Sequence, residues 1–490
     1  MIGAIAVSLI AVIAFAMCLG LTGIAGVAHH VMRTTGAGLS AMMNPELDDD
    51  AKEVAVRRAG LALVRAAFAI LWRFAAALGA AAAAIYAADG AGLAARADVF
   101  AVMLRLDYIV IVSGAMILGV VIFRRLRGAA SDDAPSSSHY SAADRFFHEV
   151  AFSTPAVLKG VSWIEDKTML RAAPDTVQAP IFVTSLARGG TTALLNALYD
   201  VPGMATHIYR DMPFPTAPML WHRVSGGNRR RVERHQRAHG DGLEIDLDTP
   251  EALEEVVWKM CWPEKYRGGG VGLLQTADHS PKAERFLRRH MAKIVCARRI
   301  QGRTKGAQNA RYFSKNNANI ARLGFLRETF PDCKIVVPVR RPECHAASLL
   351  RQHRNFLTLH AEDDFVRRYM RDIGHFEFGK IHKPILFPGF SPGRYDNANG
   401  DYWMYYWIQA FRHVLTRRDD CIFVLQDDLR AAPQATMSRL CGALDIAPGG
   451  LKFDRYFRSE PDVAKAGDFS PGIYDDACDI YDQIKRHALR

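Results

Sequence analysis

Between Pro180 and Leu198 the chain reads P-I-F-V-T-S-L-A-R-G-G-T-T-A-L-L-N-A-L, and no other stretch restricts its fold as tightly. Ile181 to Val183 are β-branched or aromatic and suit a buried strand, while Ala193 to Leu198 are good helix formers with Leu194, Leu195 and Leu198 at helical spacing. The turn between them runs from Ser185 to Thr192. Gly189 and Gly190 let the backbone approach a ligand closely, and the N–H groups of the helix start form a seat for phosphate-like oxyanions. A nucleotide triphosphatase loop would place a Lys directly before the Ser or Thr, for the outer phosphates. Here Gly189 and Gly190 precede the two threonines, and no Lys does.

Further strand candidates are Lys334 to Val339 and Cys421 to Leu425, separated by helical stretches such as Pro250 to Met260, Asn317 to Thr329 and Glu343 to Arg354. Strands alternating with helices imply an α/β fold with a P-loop-like parallel sheet flanked by helices, and ligands then bind at the carboxyl ends of its strands. Asp144 to Met169 reads as helix packed against this domain.

The amino-terminal part differs in kind. Met1 to Ala28 carries no charged side chain and is long enough to cross a bilayer as a helix. Two more apolar stretches follow, Ala59 to Ala88, broken only by Arg65 and Arg73, and Val99 to Phe123, broken only by Arg105 and Asp107. Their uncharged cores, Phe74 to Ala88 and Tyr108 to Phe123, are short for a span, so flanking charges must snorkel or the segments lie partly in the interface. We expect three hydrophobic helices over residues 1–127, a small, polar, Pro-containing linker over 128–143, and a second domain over 144–490. One span with a membrane-associated hairpin is the alternative arrangement. Arg33, Lys52, Arg57 and Arg58 precede the second stretch and Arg124, Arg125 and Arg127 follow the third, which by the positive-inside rule puts both segments, and everything after Phe123, in the cytoplasm.

The net charge of +11 does not imply nucleic acid, because the basic residues are scattered and no nucleic-acid motif accompanies them. A basic surface facing anionic lipid or an anionic donor carries the same sign. The eight cysteines occur singly with no Cys-x-x-Cys pair, which fits a reducing compartment and indicates no zinc knuckle or dithiol redox site.

A second informative stretch is Cys333 to Ser348, C-K-I-V-V-P-V-R-R-P-E-C-H-A-A-S. An apolar strand delivers Arg340 at its carboxyl end, Pro342 suits the first turn of a helix, and Ser348 follows eight residues after Arg340. The fork of an Arg and the hydroxyl of a Ser suit a terminal phosphate. Together, S-L-A-R-G-G-T-T over 185–192 and Arg340-x-Pro342 with Ser348 resemble the sulfotransferases that use 3′-phosphoadenosine 5′-phosphosulfate (PAPS), in a bacterial, membrane-anchored form. In that family the loop is commonly Pro-Arg-Ser-Gly-Thr-Thr; Ala187 stands for the usual Pro and Gly189 for the usual Ser. The resemblance covers residues 178–455.

What it implies is as follows. Arg188, Gly189, Gly190, Thr191 and Thr192 hold the phosphosulfate, and Arg340 with Ser348 grips the 3′-phosphate. Lys315 matches a family Lys and stabilises the leaving phosphate, whereas Asn317 stands where the cytosolic type has its catalytic His. Asp211, 23 residues after Arg188, is then the candidate base, with His207 and His353 as runners-up. Catalytic roles thus fall to Lys315, Asp211 and Arg188, and no metal is called for. The implied reaction moves a sulfonyl group from PAPS to a hydroxyl, less readily an amine, of a small-molecule, lipid-linked or glycan acceptor. Phe214, Trp221, Trp258 and Trp262 are candidates for lining its pocket. The apolar amino-terminal stretches, which lie outside the resemblance, give the expected location as the bacterial inner membrane, multi-pass. A P-loop-type kinase using ATP, or a non-catalytic membrane scaffold with a degenerate nucleotide fold, are the other classes.

Overall fold

The computed structural model describes residues 2–23, 49–105, 108, 112, 142–170, 177–225, 235–236, 244–245, 247–304, 310–457 and 466–489. The chain divides into two compact units, Met1–Ala134 and Pro135–Arg490.

Among its described residues the first unit is helical: Ile2–Leu21, Asp49–Gly90 and Arg96–Met103. Ala4, Val7 and Ala11 of the first helix are buried in one small cluster with Ile85, Ala88, Val99 and Val102, where small side chains let the backbones come close. Ile10, Ile13, Met17, Phe68, Leu71 and Leu78 instead point outward. Gly3–Leu21 and Arg65–Gly90 are long and apolar enough to cross a bilayer. The second is longer than its uncharged core because the helix continues through Arg65 and Arg73. The latter folds back to donate from Nε to the Thr22 carbonyl at 2.8 Å. Of the third expected span only residues 99–105, 108 and 112 are among the described ones, and most of the expected linker lies outside them.

The second unit is built on a parallel sheet of five strands: β1 (Ile181–Val183), β2 (Met204–Ala205), β5 (Arg311–Lys315), β6 (Lys334–Val339) and β7 (Cys421–Leu425), in the order β2-β5-β1-β6-β7. A separate antiparallel ribbon joins β3 (His235–Gln236) to β4 (Glu244–Ile245). β1 lies in the centre with all three side chains fully buried, as a parallel strand covered on both faces must be. Strand alternation assigns its residues to two cores. Phe182, with Ile335, Val337 and Val339 of β6, faces the larger core around Trp258, Trp403 and Trp407. Ile181 and Val183, with Val336 and Val424, face the helix Thr191–Tyr199, whose Leu194, Leu195 and Leu198 are buried against them. Each such leucine contributes roughly 2 kcal/mol of burial free energy.

The strands Lys334–Val339 and Cys421–Leu425 form as the sequence implies, and helices Ala142–Phe152 and Pro155–Thr168 occupy the expected helical stretch. β5 is not legible as a strand, because Arg311, Ser314 and Lys315 break its apolar character. It is nonetheless interior, between β2 and β1, with the Tyr312 hydroxyl donating to Glu254 at 2.6 Å. The expected helix at Asn317 begins instead as a 3-10 turn, Asn317–Arg322, before Leu323–Thr329 turns α-helical. The Asn316 side chain accepts from the Ala318 N–H and tightens this start. The expected helix from Pro250 starts only at Glu255, since Pro250 is bridged to Ile208.

Candidate active site

The register pairs Val183 of β1 with Lys315 of β5 on one side and Val336 of β6 on the other, so β1 and β5 end side by side while β6 runs on to Val339. The loop after β1 closes over these ends. Its Arg188 has φ +68° and Gly190 has φ +95°. A β-carbon on Gly190 would be strained in that conformation and would press on Gln426 Nε2 at 3.3 Å. Arg188 is a non-glycine residue in left-handed geometry, a conformation that costs of order 1–3 kcal/mol and collects at ligand-binding loops. Gly190 caps the helix Thr191–Tyr199 with no side-chain hydrogen bond, which leaves the positive end of that helix facing the loop.

His345 fastens the loop from beneath. Its Nδ1 accepts from the Trp407 indole at 3.1 Å, so its Nε2 carries the proton and donates to the Ala187 carbonyl at 2.8 Å. Burial pushes its pKa down to about 3, which keeps the ring neutral beside Arg188 and Arg340.

The sequence-derived anion residues converge here. Arg188 Nε donates to Ser348 Oγ at 3.3 Å, and Arg340 Nη1 lies 3.4 Å from the Arg188 carbonyl. Ser348 is buried on the helix Pro342–Glu362, which starts with Pro342 directly behind the end of β6. Thr191, the first helical residue, donates from Oγ1 to Asn317 Oδ1 at 3.2 Å; Thr192 follows it in the same first turn. Asn317 Nδ2 in turn donates to Glu377 Oε1 at 2.9 Å. Lys315 and Asn317 share a cleft with Glu377, Leu186, Phe376 and Trp403.

Asp211 does not join them. It ends a 3-10 turn after the edge strand β2, is buried, and is not among the residues lining the cleft. Its carboxylate takes up the Arg298 guanidinium, His207 Nδ1 at 3.0 Å and the Ile208 N–H at 3.0 Å. Burial works to raise its pKa, but Arg298 and His207 outweigh it and hold the carboxyl down to about 2. The carboxylate expected to act as the base is thus the centre of a buried ion network. His207 belongs to the same network through His290, with Nε2 atoms 2.9 Å apart. His353 accepts from the Gly379 N–H through Nδ1 at 3.2 Å and is likewise outside the cleft lining.

The expected aromatic lining also moves. Trp258 and Trp262 stack on each other in the core at 5.0 Å, and Phe214 packs on Trp221 at 5.1 Å. The aromatics of the cleft are Phe376, Trp403 and Tyr406. It holds two carboxylates, Glu255 and Glu377, and sequence reasoning passed over Glu377. The available signal was a charged residue set between two aromatics, Phe376 and Phe378, both of which are buried.

Residues 180–380 match the sulfotransferase family model. Among solved structures the chain is similar to sulfotransferase STF1 of Mycobacterium tuberculosis, at 15% identity and TM-score 0.36 over 69% of this chain and 85% of that one. It is also similar to sulfotransferase STF9 of Mycobacterium avium, at 12% identity and TM-score 0.40 over 71% and 87%. A third is the sulfotransferase domain of the Synechococcus olefin synthase, at 15% identity and TM-score 0.28 over 64% and 97%. No curated protein matches the chain. The segment that matches the sulfotransferase family model is the one that contains the loop after β1, Lys315, Arg340 and Ser348.

Proposed function

We propose that the protein transfers a sulfonyl group from PAPS to an acceptor hydroxyl. The observation that carries this reading is the meeting of Arg188, Arg340 and Ser348 at the start of the helix Thr191–Tyr199, with Lys315 ending the neighbouring strand. PAPS supplies the sulfonyl group and a phosphate leaving group. Arg340 and Ser348 bind the 3′-phosphate, and Arg188, Thr191, Thr192 and the N–H groups after Gly189 and Gly190 hold the phosphosulfate. The acceptor oxygen bonds to sulfur as the bond from sulfur to the phosphate oxygen breaks, and negative charge grows on that departing oxygen. The Lys315 ammonium neutralises it there, so the protein's work is positioning and electrostatic stabilisation.

A kinase reading would want a Lys in the loop directly before Thr191, where Gly190 stands. The apolar helices Gly3–Leu21 and Arg65–Gly90 support attachment to a bacterial inner membrane. The basic residues after Phe123 support a cytoplasmic catalytic domain, where a lipid-linked, glycan or small-molecule acceptor meets PAPS.

The test is a thermal-shift titration of the full chain in detergent with 3′,5′-adenosine bisphosphate, beside ADP plus magnesium. Ligand at ~100 times its dissociation constant stabilises by about 2.7 kcal/mol. Stabilisation by the bisphosphate alone is expected. A response only to ADP with magnesium would establish the kinase, and none to either the scaffold.

A further inference from the structure

The displacement of Asp211 leaves the acceptor's proton without a destination, and the cleft offers one. Glu377 lies in the turn between the helix Asp364–Ile373 and the 3-10 turn Gly379–Ile381. That turn is fixed at several points. His375 Nε2 donates to the Ala252 carbonyl at 3.0 Å, and the Lys383 N–H donates to the Phe376 carbonyl at 2.8 Å. Phe378 stacks on Phe356 at 6.0 Å, and Gly379, at φ +69°, has no room for a β-carbon beside His360 and the Phe356 carbonyl. The carboxylate is aimed by Asn317, which is itself held by Thr191 of the anion loop, so the acid is tied to the donor seat through two side chains.

The cleft's other carboxylate is committed. Glu255 binds the Arg322 guanidinium in bidentate fashion at 2.9 and 3.1 Å and accepts from Tyr266 and Asn316. Below Lys315 and Glu377 the wall is apolar, formed by Val271, Leu349, Phe376, Ile385, Trp403 and Tyr406. The Tyr406 hydroxyl accepts from the Ile385 N–H at 3.0 Å.

Resting on the sulfonyl-transfer reading, we infer that Glu377 is the catalytic base, that Asn317 positions it, and that the cleft takes a hydroxyl carried on an apolar or aromatic body. The acceptor's O–H proton passes to the Glu377 carboxylate as its oxygen bonds to the sulfur of PAPS. The S–O bond to the nucleotide phosphate breaks, adenosine bisphosphate leaves, and the proton is later released to solvent. Burial tends to raise the Glu377 pKa, but His375, the Asn317 amide and Lys315 outweigh it and hold it below the ordinary carboxylate value, so the group is ionised at neutral pH. A base this weak acts late, when bonding to sulfur has made the acceptor proton acidic.

The test measures turnover of the full chain in detergent with PAPS and three kinds of acceptor: ring-substituted phenols of graded acidity, a long-chain primary alcohol, and glucose. Glu377→Gln keeps the shape and the contact to Asn317 but removes the base. The expected loss in kcat/KM is about 10²–10⁴-fold for the alcohol and the least acidic phenol, shrinking towards none for a phenol already ionised in the assay. The thermal shift with adenosine bisphosphate should stay as in the unaltered protein. A uniform loss across all acceptors, no loss, or a loss found in His375→Gln and not in Glu377→Gln overturns the base assignment. Turnover of glucose alone, or of no acceptor while the bisphosphate still binds, overturns the apolar-acceptor assignment. Failure to bind the bisphosphate overturns the sulfonyl-transfer reading itself.

Discussion

Asp211→Asn separates a structural from a catalytic carboxylate, and its size follows from the buried network. The Asp211 and Arg298 side chains are 2% and 0% exposed. Removing one charge leaves the other desolvated and unpaired, which costs about 3–5 kcal/mol. With an unfolding entropy of roughly 2.1 cal/mol/K per residue, a unit of this size loses about 5 °C in melting temperature. Tryptophan fluorescence reads this unit selectively, since six of the seven tryptophans follow residue 134. The pH dependence gives a second measure. The folded pKa of about 2 lies below the ordinary 3.8, so this acid's contribution is fully present above about pH 4 and is lost as pH falls towards 2. That shift is worth about 2 kcal/mol. In Asp211→Asn this part of the acid sensitivity should vanish. Turnover per folded molecule, measured below the variant's melting range, should remain within a few-fold of the unaltered protein. An unchanged melt together with a loss of turnover beyond 100-fold would refute the argument and restore Asp211 to the chemistry.

Arg188→Gly removes the guanidinium but eases a left-handed residue, so the melting temperature should hold or rise slightly while affinity for adenosine bisphosphate falls more than 10-fold, by calorimetric titration. Arg322→Met strands Glu255 beside the cleft and should lower stability by about 3–5 kcal/mol in denaturant unfolding, with part of the loss recovered by adding Glu255→Gln. The full chain should stay with membranes through an alkaline carbonate wash, and protease should reach residues 128–143 from the cytoplasmic face only, as sealed vesicles of either orientation would report.

The loop and strand-end residues that meet in the candidate site could be picked out of the sequence because each group is local. Arg188 to Thr192 and Arg340 to Ser348 each sit within one strand-loop-helix crossing, where residue order alone fixes which side chains flank a strand end. β1 and β6 announced themselves as apolar runs, since parallel interior strands are covered on both faces, and the edge strand β7 is an apolar run as well. What stayed hidden depends on contacts between distant segments. β5 is interior although its sequence is polar, because its polar side chains are met by Glu254 and by the cleft. Asp211, well spaced from the loop, is turned away by Arg298, 87 residues later. Glu377 meets Asn317, 60 residues earlier, in the cleft. A sequence reveals which charges a chain carries and the period of its apolar faces. Which buried charge is neutralised by a partner and which remains facing a cleft is decided by the tertiary fold, because desolvation and pairing act through space rather than along the chain.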